Sequence, residues 1–480
     1  MKSFFHGAFL RGVSVCALTV SLAACTANPT PLDRPDDVPA AFTAPMDTTA
    51  PIWPKGDFFA SFGAAELGPL EELAQKENLD IAQAGARVLQ AEANDGIALA
   101  SLFPSLGGSY GVTRSGGHST VPKAYNRFSA GLSASYQQGF FGTQFLNLRA
   151  AREDLRAQRY AAAVTGISVA AQVAQEYFTL LQFRERITIA NANIAAARRI
   201  LAITQAKVSS GVSSNLDLAE QQAVVAQQEA RLPGLIESEK EARYALAILL
   251  GHAPESYDVK GQNLDGIAAP AIQPGMPSEL ILRNPSVAMA EANLYAAHAN
   301  VDVARSLYFP SLSLSGSDGY QAATSSALFG PAGLIWSIGA SAVQSIFDGG
   351  KIHAQNDLAL AQQQELVAAY RKTVFTAFSD VESALGTVKA TNEELAAIQT
   401  QAKASAEAFR ISELQYREGT IDIVSLLNNQ QSLFSAQDTL VQTKLARLQA
   451  SLSLYTALGG GWEQTASDAN YKNQLDWWPL

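Results

Sequence analysis

The sequence predicts a mainly α-helical protein with a small β part, built from two similar halves. Three observations predict it: a segment that returns after 206 residues, two long proline-free stretches, and short runs in which apolar residues alternate with small or polar ones. The repeat is clearest where "ANDGIALASLFPSL" lies over "ANVDVARSLYFPSL", so that Phe103 matches Phe309. The match extends to Phe141 and Phe347, and the same order of elements is therefore expected twice.

Composition and charge exclude several classes of protein. Of the 480 residues, 48% are apolar and 16% are charged, which excludes an intrinsically disordered chain. The formal net charge of -10 opposes binding to phosphate backbones, so no nucleic-acid partner is expected. The length is large for one simple core and indicates two or more units.

The N-terminus has the pattern of a bacterial lipoprotein signal. Lys2 and Arg11 precede an apolar run that ends in the sequence "LAAC" at Cys25. This sequence resembles a lipobox, which implies that residues 1–24 are removed and that Cys25 is diacylated and becomes the mature N-terminus. Thr26 in the next position, rather than Asp, favours the outer membrane. The alternative is an ordinary secretory signal with a chance cysteine.

In the mature chain the sequence predicts neither an internal disulfide nor a membrane-spanning helix. Without residues 1–24, Cys25 is the only cysteine, and a disulfide within the chain is excluded. No later segment has 18 uninterrupted apolar residues, so a membrane helix is not expected. A part that spans a membrane would therefore have to be a barrel.

Each half is predicted to contain a helix, a β-hairpin, a long helix, a tip turn and a returning helix. The first helix should end at "FPSL", because proline disfavours helix in the residue before it. In "SLGGSYGV" and "SLSLSGS" the residues alternate as in strands of an outer-membrane barrel, with solvent-exposed hairpins as the alternative. The predicted segments are the signal peptide 1–24, a lipid-anchored extended N-terminal segment 25–70, a first repeat 71–258 (β-hairpin 104–138, long helix 143–209, helix 213–250), a linker 259–277, a second repeat 278–458 (β-hairpin 310–346, long helix 349–417, helix 422–458) and a tail 459–480.

The second long helix carries an apolar residue at every seventh position. This spacing predicts a coiled-coil-like seam along the whole helix, which at 1.5 Å per residue is roughly 100 Å long. The returning helices are shorter, with a kink or break expected at Pro233, so two short helices placed end to end should match one long helix. The seam residues are Leu360, Val367, Val374, Val381, Val388, Leu395, Ala402, Phe409 and Tyr416.

Four strands cannot close a barrel by themselves. An open edge in lipid would leave backbone groups unpaired, and barrels begin at about eight strands. Several copies are therefore required: at four strands a copy, two copies reach that minimum of about eight and three exceed it. At a helix spacing of roughly 9 Å, the helices of a trimer would surround a bore of about 25 Å, wide enough for small molecules.

Six segments carry a family resemblance: "LAAC", "YALAILLGHAPE", "MPSELILRNPSVAMAEANLYAAHANVDVARSLYFPSLSLSGSDG", "IFDGGK", "AYRKTVFTAFSDVESAL" and "SLYTALGGGW". With them the chain resembles the TolC-like outer-membrane efflux proteins of the OprM/NodT lipoprotein branch. The resemblance implies a homotrimer with a 12-stranded outer-membrane β-barrel over a periplasmic α-helical tunnel, anchored in outer-membrane lipids. It implies an exit duct for drugs or other toxic amphiphiles, served by a periplasmic adaptor and an inner-membrane RND-type pump, without cofactor or metal.

In relatives, contacts among a carboxylate, a tyrosine and an arginine hold the tunnel tip closed. Matching the tip turns places Asp217 at the carboxylate position and Tyr416 at the tyrosine position. The arginine position holds Ile421, for which Arg417 is the candidate substitute. A carboxylate that only stabilises a helix N-terminus is the alternative for Asp217.

Two further sets of residues follow from the same match. Relatives carry aspartates that form a ring around the lumen, and this chain has Ser425 and Asn428 at those positions. A ring of carboxylates that binds a cation is therefore in doubt, and Asp422 remains as a carboxylate for this gate. The adaptor-docking positions of relatives match two pairs of residues, for which tight turns are the alternative explanation. These pairs are Gly211 with Val212 and Gly419 with Thr420.

Two other classes of protein remain as alternatives. Catalysis is not expected, because the five histidines lack the spacing of a metal site and no nucleophile motif occurs. A periplasmic coiled-coil adaptor or structural lipoprotein would explain the helical hairpins but leaves the alternating strands without a purpose. The exported substrate is not evident from the sequence, although the scarcity of methionine argues weakly against copper or silver.

Overall fold

Eight α-helices and four β-strands make up the part of the chain that the structure, a computed structural model, describes: residues 42, 53–54, 58–116, 124–139 and 141–462. The predicted signal peptide, Cys25 and the end of the tail lie outside these residues. The helices and strands are, in chain order, α1 (Leu67–Glu77), α2 (Leu79–Ala100), β1 (Ser105–Ser115), β2 (Tyr125–Gly139), α3 (Thr143–Ser209), α4 (Asn215–Leu249), α5 (Pro277–Arg283), α6 (Pro285–Ser306), β3 (Ser311–Ala322), β4 (Leu334–Val343), α7 (Lys351–Glu418) and α8 (Ile423–Ala457).

The helices that precede the two hairpins are each broken by an asparagine. Asn78 separates α1 from α2, and Asn284 separates α5 from α6; both have extended backbone and cap the following helix with their side-chain oxygen. In the second case Pro285 follows, which favours an extended residue before it and the first helical position for itself. The prediction of a single helix before each hairpin is therefore wrong, because an asparagine with extended backbone ends the first helix and caps the second.

The same two asparagines join short helices end to end. Asn78 donates from Nδ2 to the carbonyl of Leu249 at the end of α4, over 2.7 Å. Asn284 donates in the same way to Ala457 at the end of α8, over 3.4 Å. Short helices thus lie end to end, as their lengths predicted, and the structure shows which: α4 is followed in space by α2, and α8 by α6.

The helices pack side by side in one layer. At the end near the sheet the order is α2, α3, α6 and α7; at the opposite end it is α4, α3, α8 and α7. The long helices α3 and α7 take part in both halves, whereas the short helices replace one another. One edge of the layer is therefore formed by α2 with α4, and the other by α7.

Two predictions about the helices need correction. Val367 is 41% exposed, so the seam of α7 is interrupted there. The buried residues on either side of it are Ala359 and Tyr370. The second concerns α4, which continues through Pro233, so a break there is wrong and a kink stays a prediction. None of the helices described is both long enough and apolar enough to cross a bilayer.

The four strands form one antiparallel sheet in the order β1-β2-β3-β4. Its register places Ser105 opposite Ser135 and Ser311 opposite both Gly139 and Val343. Every residue of β4 is exposed, including Trp336 and Ile338. Within the described residues β1 and β4 each pair on one side only, so their outer edges carry unpaired backbone groups.

Candidate functional site at the helical tip

Two Gly-containing turns lie beside each other at the end of the helical layer farthest from the sheet. Gly211 follows α3 and Gly419 follows α7, both with φ near +77° in the left-handed region that glycine tolerates (φ 76° and 78°). In each turn the next amide bonds back by five residues, Val212 to Lys207 and Thr420 to Gln415, as in a Schellman motif. We call these turns and the helix ends that flank them the tip.

Asp217 caps the start of α4. Its carboxylate accepts hydrogen bonds from the Ser213 hydroxyl (2.8 Å), the Ser214 hydroxyl (2.8 Å) and the Ser214 amide (3.0 Å). The Asp217 amide donates in return to the Ser214 hydroxyl, which completes a capping box. The pKa of Asp217 is lowered, first by the Ser214 amide and then by the two serine hydroxyls. The carboxylate therefore stays ionised at the exposed helix start.

Asp422 has the equivalent role at the start of α8. Its carboxylate accepts from the Ser425 amide over 2.7 Å, and this bond lowers the pKa of the Asp422 carboxyl. Asn428 lies one turn further along α8 and is exposed, as is Arg417 in the last turn of α7. These four residues form the rim of the second turn.

Tyr416 differs from the other predicted tip residues because it is buried. Its hydroxyl lies 3.0 Å from the Thr204 hydroxyl of α3, and the Lys207 ammonium lies 4.7 Å from the centre of its ring. The apolar residues around it come from three helices: Ala196, Ile200, Phe409, Ile423, Leu426, Leu433 and Phe434.

The structure thus divides the predicted residues into two sets. The aspartates and the docking residues lie on the exposed turns, with Val212 exposed by 72%, whereas Tyr416 packs between helices. Thr204 and Lys207 were not predicted. Thr204 continues the buried spacing of Ala197 and Ile200 along α3, and this spacing is the sequence signal for it.

Metal binding has no support in the described part of the chain, where no three His, Cys, Asp or Glu side chains are grouped closely enough to hold an ion. The tip therefore consists of two capped turns, a rim of charged and polar side chains, and one buried tyrosine that links α7 to α3. Such an arrangement can hold the ends of α3 and α7 together or let them separate.

Comparison with known proteins decides the family. Residues 70–252 and 276–460 match the family described as outer membrane efflux protein. The chain belongs to the outer membrane efflux protein family. It is 35% identical over 464 residues to the pyoverdine export outer membrane protein OpmQ of Pseudomonas aeruginosa, which covers 95% of this chain and 98% of OpmQ. It is 29% identical over 477 residues to the outer membrane protein OprJ of the same species, covering 95% and 97%.

Solved structures of this family have the same fold. The crystal structure of the open state of the outer membrane channel MtrE from Neisseria gonorrhoeae superposes with a TM-score of 0.81 at 27% identity, covering 89% of this chain and 97% of MtrE. The resemblance to TolC-like channels is confirmed, as is a mostly helical chain with a small four-stranded sheet. Outer membrane efflux proteins are channels and not enzymes, and this chain is one of them.

Proposed function

We propose that three copies of this outer membrane efflux protein form the exit duct of a tripartite pump. The duct carries small molecules such as drugs or other toxic amphiphiles out of the cell, in series with an inner-membrane RND-type pump and a periplasmic adaptor. The match to the family over both halves of the chain carries the proposal. OpmQ is described as exporting pyoverdine, so a siderophore of that type belongs among the candidate substrates.

The edges of the subunit support assembly into a ring. The sheet ends in β1 on one side and β4 on the other, and the helical layer ends in α2 with α4 on one side and α7 on the other. Because the two edges differ, a second copy joins head to tail, and such contacts close into a ring. Apolar side chains lie exposed on both helical edges, among them Leu89 and Ile97 of α2 and Leu358 of α7.

The resemblance to TolC-like channels favours three copies. They provide twelve strands for a closed barrel, which leaves no sheet edge in lipid. The two similar halves of the chain then act as equivalent parts of the wall, with residues 71–258 and 278–458 as the repeats. Cys25 is the proposed lipid anchor, and residues 25–70 lead from it to the first repeat.

Removing the protein should raise the sensitivity of its host to some amphiphilic compounds and increase the retention of a fluorescent dye. The reason is that the pump loses its exit through the outer membrane. The protein is then expressed again in the deletion strain and extracted in detergent. Its native mass spectrum should give the mass of three chains, each beginning at a lipidated Cys25. Unchanged sensitivity and dye retention across a broad panel would count against export. A soluble, unlipidated monomer would favour the periplasmic adaptor or structural lipoprotein instead.

We place the periplasmic gate and the adaptor contacts at the tip. Asp217, Tyr416, Arg417 and Asp422 are the proposed gate residues, with Ser425 and Asn428 on the same rim. The exposed turns are the proposed docking surface: Gly211, Val212, Gly419 and Thr420.

The double variant Asp217→Ala with Tyr416→Phe should raise the conductance of the channel in a planar bilayer, because it removes a carboxylate and a hydroxyl from the tip. Ser214→Ala is the matched control, since it weakens the cap of α4 but leaves the Asp217 carboxylate in place. Equal conductance in the double variant and the wild type would remove both residues from the gate. An equal rise with Ser214→Ala would reduce Asp217 to a helix cap.

A further inference from the structure

A cavity of about 710 Å³ lies where α3 passes between α4 and α8. Its volume falls within the range of small-molecule sites, about 300–1,000 Å³. It is separate from the tip, because none of the proposed gate and docking residues lines it. Three helices contribute carboxamide, guanidinium and apolar side chains to its wall: Asn193 of α3, Gln228 and Arg231 of α4, and Gln431 and Phe434 of α8.

The cavity opens on the face of the helical layer opposite to the linker 259–277. On α3, Leu181 lies against the linker, whereas the cavity residue Ala190 follows nine residues later. Nine residues are two and a half turns of helix, so the two side chains point to opposite sides. On α8, Lys444 bonds to Asp265 of the linker over 2.8 Å, and the cavity residue Ser435 is again nine residues away.

This face is the inner one in the ring proposed above. The linker packs on the segment that leads from the proposed lipid anchor at Cys25, since the Lys260 amide donates to the Glu66 carboxylate over 2.9 Å. An anchored segment must reach the lipid around the barrel, and it therefore runs along the outside of the ring. The linker face is then the outer face, and the cavity opens towards the bore.

Two carboxamides in the cavity wall are almost buried and lack a protein partner. Asn193 is 6% exposed and Gln228 is 7% exposed, and neither side chain has a hydrogen-bond partner among the described residues. Buried polar groups are normally hydrogen-bonded, and each carboxamide both donates and accepts. Their partners must therefore come from the contents of the cavity. The exposed Gln431 adds a third carboxamide.

The charged side chains of the cavity leave one positive charge uncompensated. Arg186 of α3 is paired with Asp438 of α8 through hydrogen bonds of 2.7 and 3.2 Å. Arg231 of α4 is exposed and has no ion-pair partner among the described residues. A guanidinium fits the two oxygens of a carboxylate. Phe183 and Phe434 lie in the same wall and can pack against apolar groups.

We propose that this cavity is a cargo-binding site on the wall of the bore, and that it takes a short peptide or a similar amide-rich molecule with a free carboxylate. The carboxamides bind the amide groups of the cargo, and Arg231 binds its carboxylate. The proposal rests on the proposed channel function and deepens it by naming a class of substrate. Arg231 and Gln431 are exposed to the bore, so cargo can leave the wall, and weak binding of this kind is compatible with passage through a channel.

The test measures how peptides block the current through full-length channels in planar lipid bilayers. The probes are N-acetyl-tetraalanine with a free carboxylate, the same peptide as its C-terminal amide, and maltotriose, which has no amide group. The acid should block the wild type at a roughly two- to fivefold lower concentration than the amide, the effect of one exposed ion pair. Maltotriose should block more weakly than either peptide.

Replacing Arg231 with glutamine should remove the difference between the two peptides, because the carboxylate then has no cationic partner. Arg231→Lys should keep part of the difference, since the charge remains. Arg198→Gln is the matched control: it removes the same charge from the same pair of helices at a residue that does not line the cavity. Its block by both peptides should equal that of the wild type.

Replacing Asn193 with leucine should weaken the block by both peptides alike. The expected loss is roughly two- to tenfold, the contribution of one hydrogen bond. Asn191→Leu is the matched control, because Asn191 is an exposed asparagine two residues earlier on α3 and does not line the cavity. It should leave the block by both peptides unchanged.

The outcomes distinguish the site from the channel on which it depends. A conducting wild type that neither peptide blocks, or a difference between the peptides that survives Arg231→Gln, would overturn the site and leave the channel standing. Equal block by maltotriose and the peptides would overturn an amide-rich cargo. An absence of conductance in the wild type and in every variant would overturn the channel and the site together.

Discussion

Replacing Glu71 with glutamine should stabilise the folded protein at neutral and alkaline pH and leave it unchanged near pH 5. Glu71 lies in α1, is only 8% exposed, and neither of its carboxyl oxygens has a hydrogen-bond partner among the described residues. Burial raises its pKa from 4.5 to about 9. The carboxyl is therefore protonated in the folded protein at pH 7 but ionised in the unfolded chain.

The sign of the pH dependence follows from this difference. Between pH 4.5 and about pH 9 the folded state holds a proton that the unfolded state has released, so the free energy of unfolding falls as the pH rises. At pH 7 this loss amounts to roughly 3 kcal/mol, taking about 1.4 kcal/mol for each pH unit. Tyr455, whose pKa is raised by burial and then by the nearby Glu71 carboxylate, stays neutral over the same range.

Unfolding midpoints in detergent at pH 5, 7 and 8.5 test this prediction. The wild type should lose stability across the series, and Glu71→Gln should not, because glutamine has a similar shape and does not ionise. Glu72→Gln is the matched control, since Glu72 is the exposed neighbour of Glu71 on the same helix. Parallel profiles for the wild type and Glu71→Gln would contradict a protonated carboxyl at this position.

Replacing Arg184 with methionine should destabilise the protein by about 1.5–3 kcal/mol, the range expected when hydrogen bonds to a charged group are lost. The guanidinium of Arg184 on α3 donates to Glu239 of α4 over 3.0 Å and to the carbonyls of Val259 and Gly261 over 2.7 Å each. It also bonds to the carboxylate of Asp258. Its side chain is 11% exposed, so its removal leaves the Glu239 carboxylate, 17% exposed, and the buried Val259 carbonyl without this donor.

The same helix offers a control of the same chemistry. Arg198 pairs with Glu229 of α4, but its side chain is 64% exposed, and such surface pairs contribute at most about 1 kcal/mol. The loss of stability in Arg184→Lys should lie between the losses in Arg184→Met and Arg198→Met, because one ammonium cannot replace a forked guanidinium. Equal losses for Arg184→Met and Arg198→Met in thermal unfolding, with no faster proteolysis of residues 253–262, would contradict the prediction.

Much of the architecture could be predicted because its causes are local. The helix α3 has the predicted bounds, which follow from the absence of proline and from the turn after Ser209. The strands β1 and β3 begin after Pro104 and Pro310, as expected because proline cannot continue a helix. The breaks at Asn78 and Asn284 are also encoded locally, as N-caps, although apolar spacing alone does not reveal them. The tip glycines stand where a left-handed residue is required.

The candidate site was predictable only in part. One set of its residues bonds to neighbours in sequence, and the other bonds to residues far away along the chain. The caps formed by Asp217 and Asp422 use neighbours within four residues, so their position at the turns was accessible from the sequence. The partner of Tyr416 was not, since Thr204 meets it only through the packing of α3 against the second hairpin. The exposure of Val367 has the same origin: whether a heptad position is buried depends on which helix lies beside it.

The sequence by itself determined the order of the hairpins and long helices, the ends of the long helices, and the resemblance to a family. These depend on backbone preferences and on short motifs, which act over a few residues. Only the tertiary structure decided which short helix follows which, which arginine is buried, and which hydroxyl Tyr416 finds. Such contacts join residues that lie tens to hundreds of positions apart, and their energies depend on burial that no single segment specifies.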